Sequence, residues 1–228
     1  MLYGEIKEGK WIRRVNRFIG EVMMDDSVEK VHIRNTGRLK ELLQPGATVY
    51  LETSTNPNRK TRFSLIGVHK KGSFVNVDSQ APNAIVYDGL LKGKIKELPD
   101  ITFAKREAVF GDSRFDLYFK TLDKEGFIEV KGVTLEKEGR ALFPDAPTTR
   151  GTKHVLEMIE AVHKGYIGVI FFLVQIKGCS VFSANRDLDP NFADALKKAK
   201  DGGVLIIAYE TALTEKGFEI GKSLQVQI

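Results

Sequence analysis

The apolar pattern of this chain changes character near residue 80, and that change limits the fold more than any other feature. Residues 1–80 show extended stretches at 11–24, 28–33, 47–53, 62–69 and 73–77, separated by turn formers such as Asp25-Asp26-Ser27 and Pro45-Gly46. The last two stretches flank Lys70-Lys71-Gly72 and read as a hairpin. Only residues 38–43 suggest a helical turn, and no segment here is long enough for a helical crossover. Short strands without crossovers predict a small closed or partly open barrel. An OB-like barrel, which binds oligonucleotides on one face, is the natural candidate.

From residue 81 onward helix and strand patterns mix. A short helix is expected at 82–91, then strands at 102–110, 114–121 and 126–134. An amphipathic helix follows at 149–163, with Val155, Met158, Ile159 and Val162 on its apolar face. Residues 167–176 and 204–209 read as buried strands. Between them Asp187-Leu188-Asp189-Pro190 opens a helix over 191–200 that stops at Gly202-Gly203. A meander followed by alternating helices and strands makes a mixed α/β sheet. Two domains are therefore expected, 1–80 and 81–228, with no linker rich in Pro, Gly or Ser between them.

The net charge of +5 is unevenly spread over the 228 residues. The first 80 hold 14 Lys+Arg against 9 Asp+Glu, and the remainder holds 21 of each. A basic module beside a neutral domain points to a polyanionic partner. Arg13, Arg17, Arg34, Arg38, Arg59 and Lys60 are the candidate phosphate contacts. The single cysteine, Cys179, excludes an internal disulfide. Glu5, Lys7, Glu8, Lys10 and Arg13 interrupt the apolar stretch a signal peptide needs. The longest apolar run, 167–174, is too short to span a bilayer. A cytoplasmic protein with no membrane partner is expected.

The stretch 111–131 carries the chemistry. Asp116 stands in the middle of one strand, and Glu129 and Lys131 stand on the next. A turn at 123–126 brings the two acids side by side, and period-two alternation puts Glu129 and Lys131 on one face. Two carboxylates and the intervening backbone carbonyl suit a hard cation, Mg²⁺ or Mn²⁺. A lysine beside such an ion can position or deprotonate a water for attack on a phosphodiester. Phe115, Leu117, Ile128 and Val130 mark these strands as buried, where unpaired carboxylates are costly. Glu107, one strand upstream, is a third candidate acid that would complete the shell or orient Lys131. Arg150, Lys153 and His154 stand at i, i+3 and i+4 beside a helix N-terminus and form a candidate phosphate site. Gln175 is polar at the end of a buried strand, either as a site residue or as a strand end. No G-x-G-x-x-G, P-loop, H-E-x-x-H or cysteine cluster is present, so a metabolic enzyme has little support.

The Asp116…Glu129-x-Lys131 spacing resembles the signature of the PD-(D/E)XK nucleases. In many of those the first acid lies on a helix, whereas Glu107 is expected on a strand. Longer segments resemble the sugar fermentation stimulation protein family (SfsA). They are Asn35-Thr36-Gly37-Arg38, Arg59-Lys60-Thr61, Gly111-Asp112-Ser113-Arg114-Phe115-Asp116 and Glu129-Val130-Lys131-Gly132-Val133-Thr134-Leu135. The likeness continues through Phe143-Pro144-Asp145-Ala146-Pro147-Thr148-Thr149-Arg150-Gly151-Thr152-Lys153-His154 and Asp189-Pro190-Asn191-Phe192-Ala193. Val31-His32-Ile33-Arg34-Asn35 departs from it, since the family often has Cys-Pro before the Asn. The resemblance implies an OB-like N-terminal domain, a nuclease-like α/β C-terminal domain, non-specific DNA binding and a regulatory link to sugar metabolism. Two functions follow: a DNA-binding protein with a metal-dependent phosphodiesterase site, or a non-catalytic DNA-binding regulator on a nuclease-like fold.

Overall fold

The computed structural model describes residues 3–35, 37–70, 72–214 and 217–228. Two compact units divide the chain, Leu2–Ala81 and Pro82–Ile228. Lys71 of the expected hairpin turn and Thr36 of the Asn35–Arg38 segment lie outside the described residues.

In the first unit β1 (Ile6–Arg14), β2 (Ile19–Met24), β3 (Ser27–Ile33), β4 (Thr48–Thr53), β5 (Phe63–Lys70) and β6 (Ser73–Asn76) form one sheet in the order β3-β2-β1-β4-β5-β6. A further pairing of β3 with β5 closes the first five strands into a barrel, and β6 is hairpinned onto β5. The stretch expected as one strand over 11–24 is two. Asn16 Oδ1 accepts from the backbone N–H of Phe18 (2.9 Å) and of Ile19 (3.0 Å), which turns the chain. Residues 38–43 make the single turn expected, in which Leu42 and Leu43 N–H donate to Leu39 O at 3.0 and 2.8 Å. Trp11, Val22, Val31, Leu51 and Leu65 fill the barrel interior. Each such side chain contributes about 1.5–3 kcal/mol through burial. Gly20 is needed under the tryptophan, because a Cβ there would lie 2.3 Å from the Trp11 ring.

The second unit begins at Pro82, the second residue of α1 (Ala81–Leu91), and continues with β7 (Phe103–Phe110), β8 (Ser113–Lys120), β9 (Glu125–Val133), β10 (Leu135–Lys137) and β11 (Arg140–Phe143). These are followed by α2 (Thr149–His163), β12 (Ile167–Val174), β13 (Val181–Ala184), α3 (Pro190–Asp201), β14 (Leu205–Thr214), β15 (Gly217–Ser223) and β16 (Gln225–Gln227). The main sheet runs β15-β14-β12-β9-β8-β7, with β9, β12 and β14 parallel at its centre. β12 is apolar along its length because both its neighbours are parallel strands in a sheet covered by helices. A second sheet, β10-β11-β13-β16, comes from strands of three or four residues that the pattern did not announce. The architecture is thus an OB barrel followed by a mixed α/β domain, as expected.

Two caps shape the start of the helices. Thr148 Oγ1 accepts from Gly151 N–H at 3.0 Å. Asp189 accepts from Phe192 N–H with one oxygen and from Thr148 N–H with the other, at 3.0 and 2.8 Å. One aspartate therefore caps α3 and ties it to the start of α2, a contribution of about 1 kcal/mol for the cap alone. Among the described residues, no helix is long and apolar enough to cross a membrane.

Candidate functional site

The ladder between β8 and β9 runs from Lys120↔Glu125 to Leu117↔Ile128 and stops there. At the next step the Asp116 side chain takes over. Its Oδ2 accepts from Val130 N–H at 2.8 Å, and its Oδ1 accepts from Asn83 Nδ2 of α1 at 2.7 Å. The strands part where Asp116 and Glu129 meet. Burial raises the Asp116 pKa, and the charge of Glu129 raises it further, against the Val130 N–H bond.

Glu129 is 3% exposed. Its Oε1 receives Lys131 Nζ and His154 Nδ1, each at 2.5 Å. Burial alone would push this carboxyl up, but the hydrogen bond from His154 and the Lys131 charge prevail and hold it below its ordinary value. Its other oxygen, Oε2, is buried with no hydrogen-bond partner. Gln175 Oε1 is likewise buried and unpartnered. A Cβ on Gly132 would lie 3.1 Å from Gln175 Nε2, so this amide stands beside the Glu129-Val130-Lys131 strand. Such bare acceptors normally cost about 1–3 kcal/mol each, and they suit a site that takes up a cation or donor.

The helical trio does not share one exposed face. His154 is buried, because it falls in the stripe Gly151, His154, Val155, Met158, Ala161 that α2 presents to the protein interior. Helical spacing groups residues but does not say which group packs inward. Arg150 Nε reaches His154 Nε2 at 3.4 Å, which leaves Nδ1 to carry the proton donated to Glu129. Lys153 remains exposed, 3.5 Å from Glu157. Glu107 stands apart from the two acids. Its backbone takes φ +54° opposite Asp116, between the pairs Arg106↔Leu117 and Ala108↔Phe115, and its exposed carboxylate lies 3.2 Å from Arg114. Among the described residues, no group of three or more His, Cys, Asp or Glu side chains is arranged to hold an ion. Asn83 was not anticipated, and no local pattern marks it, since its role exists only where α1 meets β8.

The cations of the barrel fall into two sets. Arg34 is held by Asp78 (2.8 Å) and Glu52 (3.0 Å), and Arg59 donates to Ser64 Oγ (2.9 Å). Both serve the barrel's own polar network. Arg13 pairs with Glu21 at 2.7 Å on the surface. Among the described residues, Arg17, Arg38 and Lys60 are exposed and have no acidic partner. Arg17 instead lies 5.5 Å from the centroid of the Phe18 ring.

The fold and these residues define a two-domain class: an OB barrel with free surface cations, followed by a mixed α/β domain with a buried acid–base cluster. Residues 12–77 match the SfsA N-terminal OB domain, and residues 80–217 match the sugar fermentation stimulation protein RE domain. The chain belongs to the sugar fermentation stimulation protein family. A sugar fermentation stimulation protein homolog of Alkaliphilus oremlandii is 48% identical over 231 residues, 99% of this chain and 98% of the relative. One from Clostridium botulinum is 45% identical over 227 residues, 98% of this chain and 97% of the relative. Among solved structures, that of Pyrococcus furiosus SfsA in complex with Ca²⁺ superposes with a TM-score of 0.92 at 30% identity. It covers 100% of this chain and 98% of that one.

Proposed function

We propose that this protein binds DNA through its barrel and carries a divalent-cation-dependent phosphodiesterase site on Asp116, Glu129 and Lys131. The observation that carries the reading is the unpartnered, buried Glu129 Oε2 beside Asp116, at the point where two strands part. The donor set is all oxygen, which suits Mg²⁺ or Mn²⁺ rather than a thiophilic metal. Two carboxylates without a third acid are the ligand count of a Mg²⁺ site that keeps waters and shares substrate phosphates. A cation held by Asp116 and Glu129 would neutralise charge on the scissile phosphate and acidify water. Lys131, held on Glu129 Oε1, would orient that water. Arg150 and Lys153, at the exposed start of α2, would hold a neighbouring phosphate. The Ca²⁺ in the Pyrococcus furiosus relative is a hard, oxygen-seeking ion of the same kind.

A second reading is a non-catalytic DNA-binding regulator on this fold. It is favoured by Lys131 neutralising Glu129 at Oε1 and His154 hydrogen-bonding the same oxygen, which satisfies that oxygen without an ion. Incubating the protein with plasmid and oligonucleotide DNA in Mg²⁺, Mn²⁺ or EDTA separates the two. Metal-dependent cleavage lost in Lys131→Ala supports the first, and binding without cleavage under every condition returns the second.

A further inference from the structure

β3 is paired on both sides, so that His32 has Ile19 of β2 and Ser64 of β5 as its register partners. The turn 15–18 before β2 and the segment 54–62 before β5 therefore reach the barrel at the same rim. Phe18 O accepts from Ile33 N–H at 2.7 Å, which anchors the turn to the end of β3. The turn is also held from within. Asn16 caps it, and the Arg14 guanidinium donates to the carbonyls of Arg17 (2.9 Å), Asn35 (2.7 Å) and Gly37 (2.6 Å). The same guanidinium reaches Arg38 O at 3.2 Å, which makes Arg38 a neighbour of Arg17.

Phe18 sits at the tip of this fixed turn and is 50% exposed. Phe103, another exposed aromatic, packs on the Tyr118 ring, whereas among the described residues Phe18 has the Arg17 guanidinium over it and no ring partner. Beside it stand Arg17 and Arg38, exposed and without an acidic partner among the described residues, with Lys60 and Arg62 on the second segment of the rim. A rigid exposed ring costs little ordering entropy when a flat partner stacks on it, and its cationic neighbours select a partner that carries negative charge.

We propose that this rim binds single-stranded nucleic acid, with a base stacked on Phe18 and backbone phosphates on Arg17, Arg38 and Lys60. The inference rests on the DNA-binding reading above and sharpens it. Within a duplex both faces of a base are already covered by its neighbours and must be unstacked at a cost, so a ring on a loop tip stacks most readily on a single strand. Every base has a π-face, so such binding is sequence-tolerant, and one stacked base changes affinity roughly tenfold.

The test measures binding of the full chain to a short labelled single strand and to the same sequence as a blunt duplex, at one low salt concentration. Phe18→Leu should weaken single-strand binding roughly tenfold and leave duplex binding nearly unchanged. Phe18→Trp should keep the affinity, and its emission should be quenched by the single strand. The chain's own tryptophan, Trp11, is buried and supplies a constant background. Single-strand binding of Phe18→Leu equal to that of the unmodified protein overturns the proposal while leaving DNA binding intact. Equal losses on both probes also overturn it, since the ring would then be a duplex wedge. If the unmodified protein binds neither probe, the DNA-binding reading itself fails, and this inference fails with it.

Discussion

His154 Nδ1 lies 2.5 Å from Glu129 Oε1, and both side chains are buried. The bond ties α2 to β9 at the carboxylate on which the proposed chemistry depends, and it leaves Glu129 Oε2 as that acid's open face.

Replacing His154 with Ala should therefore act twice. Loss of a buried donor to a carboxylate should lower stability by about 1–3 kcal/mol, read from urea unfolding. Loss of the group that aims Glu129 should weaken Mg²⁺ binding by about tenfold or more, read by calorimetry. His154→Asn, which retains a donor, should recover part of both. A variant unchanged in both measurements would mean that Lys131 alone orients Glu129.

Mg²⁺ should stabilise the protein by mass action, by about 2.7 kcal/mol at a hundredfold excess over Kd. Asp116→Asn should abolish that gain in thermal melts. Lys131→Ala should keep it while ending cleavage, because His154 still holds the shared oxygen of Glu129. Loss of the Mg²⁺-dependent gain in Lys131→Ala would contradict this division of roles.

The arginines of the barrel should separate by phenotype. Arg34→Ala strands Asp78, which is fully buried, together with Glu52, and should cost about 3 kcal/mol of stability. Arg17→Ala or Lys60→Ala should leave stability within about 0.5 kcal/mol. Each should instead reduce the slope of log affinity against log salt by about 0.9 for duplex DNA, or about 0.7 for a single strand. Salt titrations of the three variants that give one common slope would refute the assignment.

Tyr209 provides a pH-dependent check on the packing of the second unit. Its hydroxyl donates to Glu97 (2.7 Å) and accepts from Lys96 N–H (3.2 Å). Burial and the bond to Glu97 push its pKa up to about 12, from 10.0. A pKa raised by folding contributes stability that is present below pH 10 and is lost as pH climbs towards 12. The melting temperature of the unmodified protein should fall more steeply across that window than that of Tyr209→Phe. Parallel curves would show that the hydroxyl titrates as it does in the unfolded chain.

Much of this fold is legible locally. Thr148, Asp189-Pro190 and Gly202-Gly203 mark the helices within a residue or two, because caps and breakers act on their immediate neighbours. The Asp116–Glu129–Lys131 set is also legible, since a hairpin turn converts sequence spacing into adjacency. The strand break inside 11–24 was not visible, because it depends on the Asn16 carboxamide folding back on Phe18 and Ile19.

What this sequence determined by itself is what short-range physics controls: the barrel's strands, the capped helices, the two acids and the lysine. Tertiary structure decided which charged groups remain free. Arg34 and Arg17 read alike in sequence, but only Arg34 meets Asp78 and Glu52 once the barrel closes. His154 read as a surface cation until α2 turned that stripe inward, and Glu107 read as a third acid until a left-handed backbone turn set its carboxylate in solvent beside Arg114. The short strands β11 and β13 become partners only after α2 and β12 have been laid between them. A side chain's chemical type is local, whereas its desolvation and its counter-charge come from residues distant in the chain, and those set its role.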